Sequence, residues 1–292
     1  MNSKEISASL AGTLSLGGEL TVHRLGFGAM RLTGEGIWGP PKDRKAAIAV
    51  LRRAVELGVN FIDTADSYGP CVSEEIIAEA LHPYAPDLVI ATKGGWDRPG
   101  PNQWTHNATA AHLRKAVEGS LKRLRLDRID VYQLHIPDPV VPFEESVGTL
   151  AQLKDEGKIR LVALSNVTRE HIERARRIVP IVSVQNRYSL ADREWDYVVD
   201  YCERNEIAFI PWFPLGGGRA AGEVLNQVAR AQSTSPKQVA LAWLLKRSPI
   251  ILPIPGTSSV QHLEENVAAA SLRLTDDEFQ RLSRVPQLAA AR

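Results

Sequence analysis

Short apolar runs alternate along the chain with longer segments of helical periodicity. In residues 43–57, Ile48, Leu51 and Val55 fall at i, i+3 and i+7, which is typical of one face of an amphipathic helix. The short runs lack the polar alternation of a half-exposed strand, and this favours strands buried on both faces, as in a parallel sheet. We predict strands at residues 24–28, 60–63, 88–93, 129–135, 159–165, 182–186, 208–211 and 250–254.

Eight strands that are each followed by a helix predict an α/β fold, a (β/α)8 TIM barrel, rather than an open doubly wound sheet. No segment rich in Pro, Gly or Ser divides the chain, so we predict a single domain over residues 1–292. Residues 13–22, with a Gly-Gly pair between leucines, predict an N-terminal β-hairpin that closes the N-terminal end of the barrel. Extra helices are predicted at residues 236–247 and 276–282.

The composition narrows the class of protein. Of the 292 residues, 44% are hydrophobic and 24% are charged, which excludes an intrinsically disordered chain. A formal net charge of +1 gives no reason to expect a nucleic-acid partner. No apolar run approaches the roughly 18 residues of a membrane span, and no secretory signal is evident. We therefore expect a cytoplasmic protein with no membrane partner, in which Cys71 and Cys202 are free thiols.

Polar side chains stand at the carboxyl ends of three consecutive predicted strands. Asp63 ends the second strand, and Tyr68 lies in the loop after it. Lys93 ends the third strand and His135 ends the fourth. Taken singly, Asp63 is typical of a turn, whereas Tyr68 and His135 are typical of packed residues. Lys93 is costly to bury unless Asp63 pairs with it, and active sites of TIM barrels lie at this end, so the four together indicate an active site.

The chain resembles the aldo-keto reductase family in segments that follow one another between residues 24 and 279. The matching segments are residues 61–69, 91–93, 132–135, 164–166, 184–186 and 254–266. The resemblance implies that the four residues form a catalytic tetrad for the NAD(P)H-dependent reduction of an aldehyde or ketone to the alcohol. In this reaction Tyr68 is the proton donor and Lys93 lowers its pKa. Asp63 fixes Lys93, and a neutral His135 orients the substrate carbonyl.

The predicted cofactor is a nicotinamide dinucleotide, because no side chain can carry the hydride. No glycine-rich Rossmann fingerprint follows a predicted strand, so a site of that kind is not indicated. The resemblance implies instead that Ser165, Asn166 and Gln185 hold the nicotinamide carboxamide and that the loop after strand seven lines the pyrophosphate. The predicted cofactor-binding residues are Gly28, Met30, Arg31, Asp63, Ser165, Asn166, Gln185, Phe213, Pro214, Leu215, Gly216, Gly218, Gly256, Thr257, Ser258, Ser259, His262, Glu265 and Asn266.

Two positions depart from the pattern of many NADP-specific members of the family. Those members have Lys where this chain has Gly256, and Arg where it has His262. We favour NADPH, with NADH as the alternative, because serines at a helix N-terminus can still bind a 2′-phosphate. Ser258 or Ser259 can equally be an ordinary N-cap of that helix, and the two roles are compatible.

Aromatic residues on the predicted loops indicate the substrate site. The loops at the catalytic rim carry Trp38, Trp96, Trp104, Trp212 and Phe213, whose aromatic walls fit a flat or apolar carbonyl compound. The predicted substrate pocket contains Trp38, Tyr68, Trp96, Trp104 and His135. Each tryptophan can equally pack beneath a loop.

The substrate class is narrowed by two further segments. Residues 36–41 and 254–259 resemble the bacterial pyridoxal-reductase-like branch of the family. This resemblance implies pyridoxal or another aromatic or small aldehyde as the substrate. No metal site is predicted, and we expect a monomer or a weak homo-oligomer.

Two other functions remain open at this stage. The first is a non-catalytic nicotinamide-binding subunit, a role that barrels resembling this family also have. The second is a Schiff-base aldolase in which Lys93 is the nucleophile. The intact tetrad opposes the first alternative, and the spacing of Asp63 and Tyr68 opposes the second.

Overall fold

Strands and helices alternate through residues 6–216 and 222–284, which the computed structural model describes. The strands are β1 (Thr13–Leu16), β2 (Leu20–His23), β3 (Phe27–Gly28), β4 (Phe61–Asp63), β5 (Val89–Gly94), β6 (Trp96–Gly100), β7 (Gln103–His106), β8 (Ile129–Leu134), β9 (Ile159–Ser165), β10 (Ile181–Gln185) and β11 (Ala208–Phe209). The helices are α1 (Arg44–Glu56), α2 (Val72–Leu81), α3 (Ala110–Leu124), α4 (Phe143–Asp155), α5 (Arg169–Ala175), α6 (Asp196–Arg204), α7 (Glu223–Ala231), α8 (Pro236–Arg247), α9 (Val260–Ala268) and α10 (Asp276–Ser283).

A parallel sheet in the order β11-β10-β9-β8-β5-β4-β3 forms most of the barrel wall. Residues 250–254 complete the wall as extended chain rather than as a full strand. On one side the Leu252 amide donates to the Phe209 carbonyl at 2.9 Å. On the other side the Gly26 amide donates to the Pro253 carbonyl at 2.9 Å. Because the eighth run pairs on both sides, the predicted (β/α)8 barrel is confirmed, although this run is shorter as a strand than predicted.

The N-terminal hairpin of β1 and β2 covers one end of the barrel. Leu16 and Val22 are fully buried and join the apolar cluster that fills the barrel interior. The turn between the strands contains Gly17, which has a φ of +61°. A Cβ at Gly17 would lie 2.8 Å from the side chain of Val182, so the turn presses directly on the barrel. The predicted closure of this end is therefore correct.

The helices begin and end where the sequence provides the required residues. The Asp43 side chain accepts the Ala46 amide at 2.9 Å and caps α1, which covers the predicted amphipathic segment. Ser235 and Gln238 form a capping box at the start of α8. Both predicted extra helices are present as α8 and α10. No helix within the described ranges has the length and apolar character that crossing a membrane requires.

One element of the fold was not predicted. The loop after β5 contains an antiparallel pair, β6 and β7, with an irregular register between Asp97 and Gly100. This segment includes Pro99 and Pro101, which weaken any strand pattern because proline cannot donate to a sheet. The β6–β7 hairpin brings two tryptophans to the carboxyl end of the barrel.

Candidate active site

The register of the sheet brings the predicted catalytic residues together. Gly28 on β3 is the partner of Asp63 on β4, and Lys93 on β5 is the partner of Gln133 on β8. His135 follows β8 directly, and its amide donates to the carbonyl of Gly94 on β5 at 2.9 Å. The carboxyl ends of three neighbouring strands therefore supply the tetrad, as the order of the motifs predicts.

Lys93 lies at the centre of the site and is fully buried. Its Nζ donates to Asp63 Oδ1 at 2.6 Å, to the Thr64 carbonyl at 2.8 Å and to the Tyr68 hydroxyl at 3.4 Å. Burial by itself lowers the pKa of Lys93, but Asp63 and Tyr68 outweigh this effect and hold the pKa above its ordinary value. Lys93 is therefore a fixed cation.

The second carboxylate oxygen of Asp63 is also satisfied. Gln133 Nε2 donates to Asp63 Oδ2 at 2.8 Å, and Gln185 Nε2 donates to the same oxygen at 2.9 Å. Asp63 therefore accepts hydrogen bonds at both oxygens, which orients it toward Lys93. Gln133 was not assigned to the site from the sequence, although it lies within the segment that resembles the family.

Tyr68 lies between Lys93 and the open cleft and is 7% exposed. Burial raises the pKa of Tyr68, Lys93 lowers it, and the net pKa lies above the ordinary phenol value. The effect of Lys93 has the predicted direction, but the predicted net lowering is wrong because the desolvation of the phenolate is larger. Tyr68 therefore keeps its proton at neutral pH, as a proton donor must.

His135 faces the same space as Tyr68, with the two ring centroids 5.8 Å apart. Its Nδ1 lies 3.4 Å from the Ser67 hydroxyl. Burial holds the pKa of His135 well below its ordinary value, and the cations Lys93 and Arg98 lower it further. The imidazole is therefore neutral at physiological pH, as expected for a residue that donates a hydrogen bond to a carbonyl.

A cleft of about 970 Å³ opens above the tetrad. It contains most of the predicted cofactor and substrate residues and several apolar residues that were not predicted. The predicted residues that line it are Gly28, Met30, Arg31, Asp63, Tyr68, Trp96, Trp104, His135, Ser165, Asn166, Gln185, Phe213, Pro214, Leu215 and Gly256. Trp212, which was expected among the aromatic walls, also lines the cleft, and the residues that were not predicted are Ile37, Ile136, Lys237, Ile254 and Pro255.

Some predicted residues do not line this cleft. Trp38 is not among the lining residues and pairs with Gly69 in a single β-bridge. Gly218 lies outside the described residues. The other predicted residues that do not line the cleft are Gly216, Thr257, Ser258, Ser259, His262, Glu265 and Asn266.

The amide residues predicted for the nicotinamide are held by protein contacts. Asn166 Nδ2 donates to the His135 carbonyl at 3.0 Å, and Asn166 Oδ1 accepts from Trp212 Nε1 at 3.0 Å. Asn166 has a φ of +57°, a conformation that asparagine tolerates better than most residues. The side chains of Ser165, Asn166 and Gln185 are therefore oriented before any ligand binds.

The N-terminus of α9 supports the capping role that was predicted for its serines. Ser259 is the N-cap, and its hydroxyl accepts the His262 amide at 3.4 Å. Ser258 and His262 are exposed and remain accessible to a ligand. Asn266 is buried at 3% exposure within α9.

Gly28 and Gly256 meet where the first and last segments of the barrel wall approach each other. A Cβ built on Gly256 would lie 2.5 Å from the Gly28 carbonyl oxygen. A Cβ on Gly28 would lie 2.7 Å from the Ile254 carbonyl oxygen. Both distances are far below any ordinary carbon–oxygen contact, so each position requires glycine because of space rather than backbone angle.

Aromatic rings form the wall of the cleft next to His135. Trp96 and Trp104, from the two strands of the β6–β7 hairpin, have ring centroids 5.7 Å apart. These centroids lie 6.3 Å and 6.4 Å from that of His135. The ring of His106 is tilted by 36° against that of Trp96, and their centroids lie 4.4 Å apart. This part of the cleft is thus lined by aromatic rings.

Lys237 and Arg98 are two cations at the site that sequence reasoning missed. Lys237 lies on α8, is exposed, and makes no ion pair with another described residue. No local pattern marks it, because its position depends on how α8 packs against the barrel. Arg98 lies on β6 and binds backbone carbonyls of the surrounding loops. Within the described part of the chain, no group of His, Cys, Asp and Glu could hold a metal ion.

The chain is similar over most of its length to a known protein family and to solved structures. The model of the aldo/keto reductase family matches residues 24–286. An uncharacterized oxidoreductase of Schizosaccharomyces pombe is 50% identical over 282 residues, which cover 96% of this chain and 92% of that protein. Pyridoxine 4-dehydrogenase of Escherichia coli is 47% identical over 267 residues, which cover 89% of this chain and 93% of that protein. An aldo-keto reductase from Klebsiella pneumoniae, solved in complex with NADPH, has a TM-score of 0.81 at 27% identity, over 94% of this chain and 95% of that chain.

These similarities extend over nearly the whole barrel and agree with the site geometry. The resemblance inferred from the strand-end motifs is confirmed, and the similarity to the Escherichia coli enzyme supports the pyridoxal-reductase-like branch. The protein is an oxidoreductase, and the chain belongs to the aldo/keto reductase family.

Proposed function

We propose that the protein reduces an aldehyde or ketone to the alcohol with NADPH and that Tyr68 is the proton donor. The observation that carries the proposal is the position of the Tyr68 hydroxyl, 3.4 Å from the buried Lys93 ammonium and next to the open cleft. A protonated phenol beside a fixed cation can deliver its proton as negative charge develops on the carbonyl oxygen. The cation then stabilises the phenolate that remains.

His135 has the second role in this mechanism. Because its imidazole is neutral, it can donate a hydrogen bond to the carbonyl oxygen without giving up a proton. The distance of 5.8 Å between the rings of Tyr68 and His135 leaves room for a carbonyl oxygen between their polar atoms. The substrate is thereby oriented with its oxygen toward the phenol.

The cleft residues fit a nicotinamide dinucleotide, which when bound supplies the hydride. Ser165, Asn166 and Gln185 offer the donors and acceptors that a carboxamide needs. The exposed cations Arg31 and Lys237 line the same cleft and suit a group with several phosphates. The relative from Klebsiella pneumoniae that was solved with NADPH supports the phosphorylated cofactor.

An aromatic aldehyde such as pyridoxal is the proposed substrate. The flat walls formed by Trp96 and Trp104 favour a planar ring over a long aliphatic chain. The similarity to pyridoxine 4-dehydrogenase supports the same class. The aldolase alternative is disfavoured, because a Lys93 that stays protonated and paired with Asp63 is a poor nucleophile.

A survey of aldehydes with both cofactors tests the proposal. The decrease in the near-ultraviolet absorbance of the reduced nicotinamide is followed with pyridoxal, benzaldehyde and propanal, each with NADPH and with NADH. We expect turnover of all three and a lower KM for NADPH at one salt concentration. Binding of the cofactor without turnover would support the non-catalytic subunit, and a clear preference for NADH would contradict the cofactor assignment.

A further inference from the structure

Arg98 connects three separate segments at the rim of the cleft. Its Nε donates to the Gln103 carbonyl on β7 at 2.8 Å. Its Nη1 donates to the Ser67 carbonyl at 2.7 Å, in the loop that carries Tyr68. Its Nη2 donates to the Gly36 carbonyl at 3.0 Å, in the loop after β3. One guanidinium thus fastens the β6–β7 hairpin to two other loops of the active site.

The same guanidinium lies against an aromatic wall of the cleft. Its Cζ lies 3.7 Å from the ring centroid of Trp104 and 5.8 Å from that of Trp38. Trp104 lines the cleft on the side of His135, whereas Arg98 is not among the lining residues. Arg98 therefore packs on a face of the Trp104 ring without itself lining the cleft.

These contacts use the shape of arginine as well as its charge. All three acceptors are backbone carbonyls, and Arg98 has no carboxylate partner among the described residues. The guanidinium presents donors in a rigid planar fork and can stack on a ring at the same time, which a lysine ammonium cannot do. A cation over an aromatic face is attracted to it, and this attraction orients the indole.

We propose that Arg98 is a positioning residue that sets the preference for aromatic substrates by holding Trp104 in place as a wall of the cleft. The proposal rests on the proposed reductase function and adds to it the residue that selects the substrate class. A ring that stacks on Trp104 needs this wall, whereas a small aliphatic aldehyde does not. Loss of Arg98 should therefore change the ratio of kcat/KM between aromatic and small aldehydes more than it changes kcat.

The test compares an aromatic aldehyde with a small one in variants of Arg98. In Arg98→Met we expect kcat/KM for pyridoxal to fall about 10-fold, mainly through KM, while that for propanal changes less than about threefold. Arg98→Lys keeps the charge and should lose the preference as well, because one ammonium nitrogen cannot replace the three guanidinium nitrogens that each bind a different carbonyl. Cofactor Kd, measured from the quenching of tryptophan fluorescence, should stay within about twofold in both variants.

Arg169→Met is the matched control. Arg169 also lies over an aromatic ring, that of Tyr201 at 5.3 Å, and pairs with Glu173, but it belongs to the outer helix α5. We expect the wild-type ratio of the two kcat/KM values in this variant. If Arg98→Met does not fold, the test uses Arg98→Lys and Trp104→Leu instead. Both variants should lower the ratio of kcat/KM for pyridoxal to kcat/KM for propanal.

A double-mutant cycle shows whether Arg98 acts through Trp104. In a Trp104→Leu background, Arg98→Met should lower the pyridoxal-to-propanal ratio no further, because the wall is already lost. Three results would overturn the proposal. The first is an equal loss of kcat/KM for both aldehydes in Arg98→Met, and the second is a wild-type ratio of the two kcat/KM values in Arg98→Lys. The third is additive effects of Arg98→Met and Trp104→Leu on this ratio. If instead the wild type reduces no aldehyde, it is the proposed reductase function that fails.

Discussion

Lys93 Nζ lies 3.4 Å from the Tyr68 hydroxyl and 2.6 Å from Asp63 Oδ1, so one buried cation joins a phenol to a carboxylate. Each of the three side chains is at least nine-tenths buried, and none would be stable in this position without its neighbours. Asp63 balances the charge of the Lys93 cation, and the phenol and the carboxylate both line the cleft. Loss of the Tyr68 hydroxyl would remove the proposed proton donor and leave the ion pair of Lys93 and Asp63 in place.

Tyr68→Phe should nearly abolish turnover. We expect kcat to fall at least about 100-fold, because no other group in the site replaces the lost proton donor. Cofactor Kd should stay within about twofold of wild type, since the ring is retained. Tyr84→Phe is the control, because the Tyr84 hydroxyl binds the Leu124 carbonyl on the outside of the barrel. An unchanged kcat in Tyr68→Phe would refute the role of this residue.

His135 should make stability depend on pH in the mildly acidic range. Burial and the cations Lys93 and Arg98 keep its pKa well below the ordinary 6.5, so only the unfolded chain takes up this proton as the pH falls. The free energy of unfolding should therefore decrease below pH 6.5, with a contribution of up to about 1.4 kcal/mol per pH unit, and be unaffected above it. Urea unfolding of wild type and His135→Gln measures the difference. Identical slopes of the free energy of unfolding against pH in the two proteins would contradict the prediction.

Lys237 should contribute to cofactor binding through its charge. In Lys237→Met we expect Kd to rise about fivefold for NADPH and NADH alike, because both carry the pyrophosphate. The effect should shrink as salt is added, since the group is exposed. Lys45→Met, on the outer surface of α1, should leave both constants unchanged. An effect on NADPH alone would place Lys237 at the 2′-phosphate instead.

Glu74 should be important for stability although it does not line the cleft. It is fully buried, accepts from the Thr92 hydroxyl at 2.6 Å and pairs with Arg123 at 2.6 Å. Glu74→Ala leaves the Arg123 cation without its partner, so the free energy of unfolding should fall by about 3 kcal/mol. Glu79→Ala on the same helix removes an exposed pair with Arg44 and should cost less than about 1 kcal/mol. Equal costs would show that burial of the pair is unimportant.

Much of the catalytic centre could be predicted from the sequence because it depends on strand order. Asp63, Lys93 and His135 lie at the ends of consecutive parallel strands, and the geometry of a barrel places such residues side by side. The apolar runs and the helical periods were sufficient to find those strands. The first and seventh runs form shorter strands than predicted, and the eighth pairs through isolated hydrogen bonds rather than as a regular strand.

The parts that could not be predicted depend on contacts between segments distant in the chain. Arg98 binds carbonyls from three segments, and nothing in residues 96–106 indicates which loops they will meet. Lys237 lines the cleft together with Pro214 and Leu215, which belong to a different segment of the chain. The net pKa of Tyr68 depends on the degree of burial, which a list of neighbouring charges does not contain.

The contact between Gly28 and Gly256 limits how this enzyme could change its cofactor by mutation. A lysine at position 256 would place its Cβ 2.5 Å from the Gly28 carbonyl oxygen, which belongs to the barrel wall. The backbone of this chain would therefore have to shift before a lysine at position 256 could contribute its charge to the binding of a 2′-phosphate. Position 262 is exposed and can accept a cationic side chain. A change in cofactor preference would therefore proceed through α9 rather than through the contact between Gly28 and Gly256.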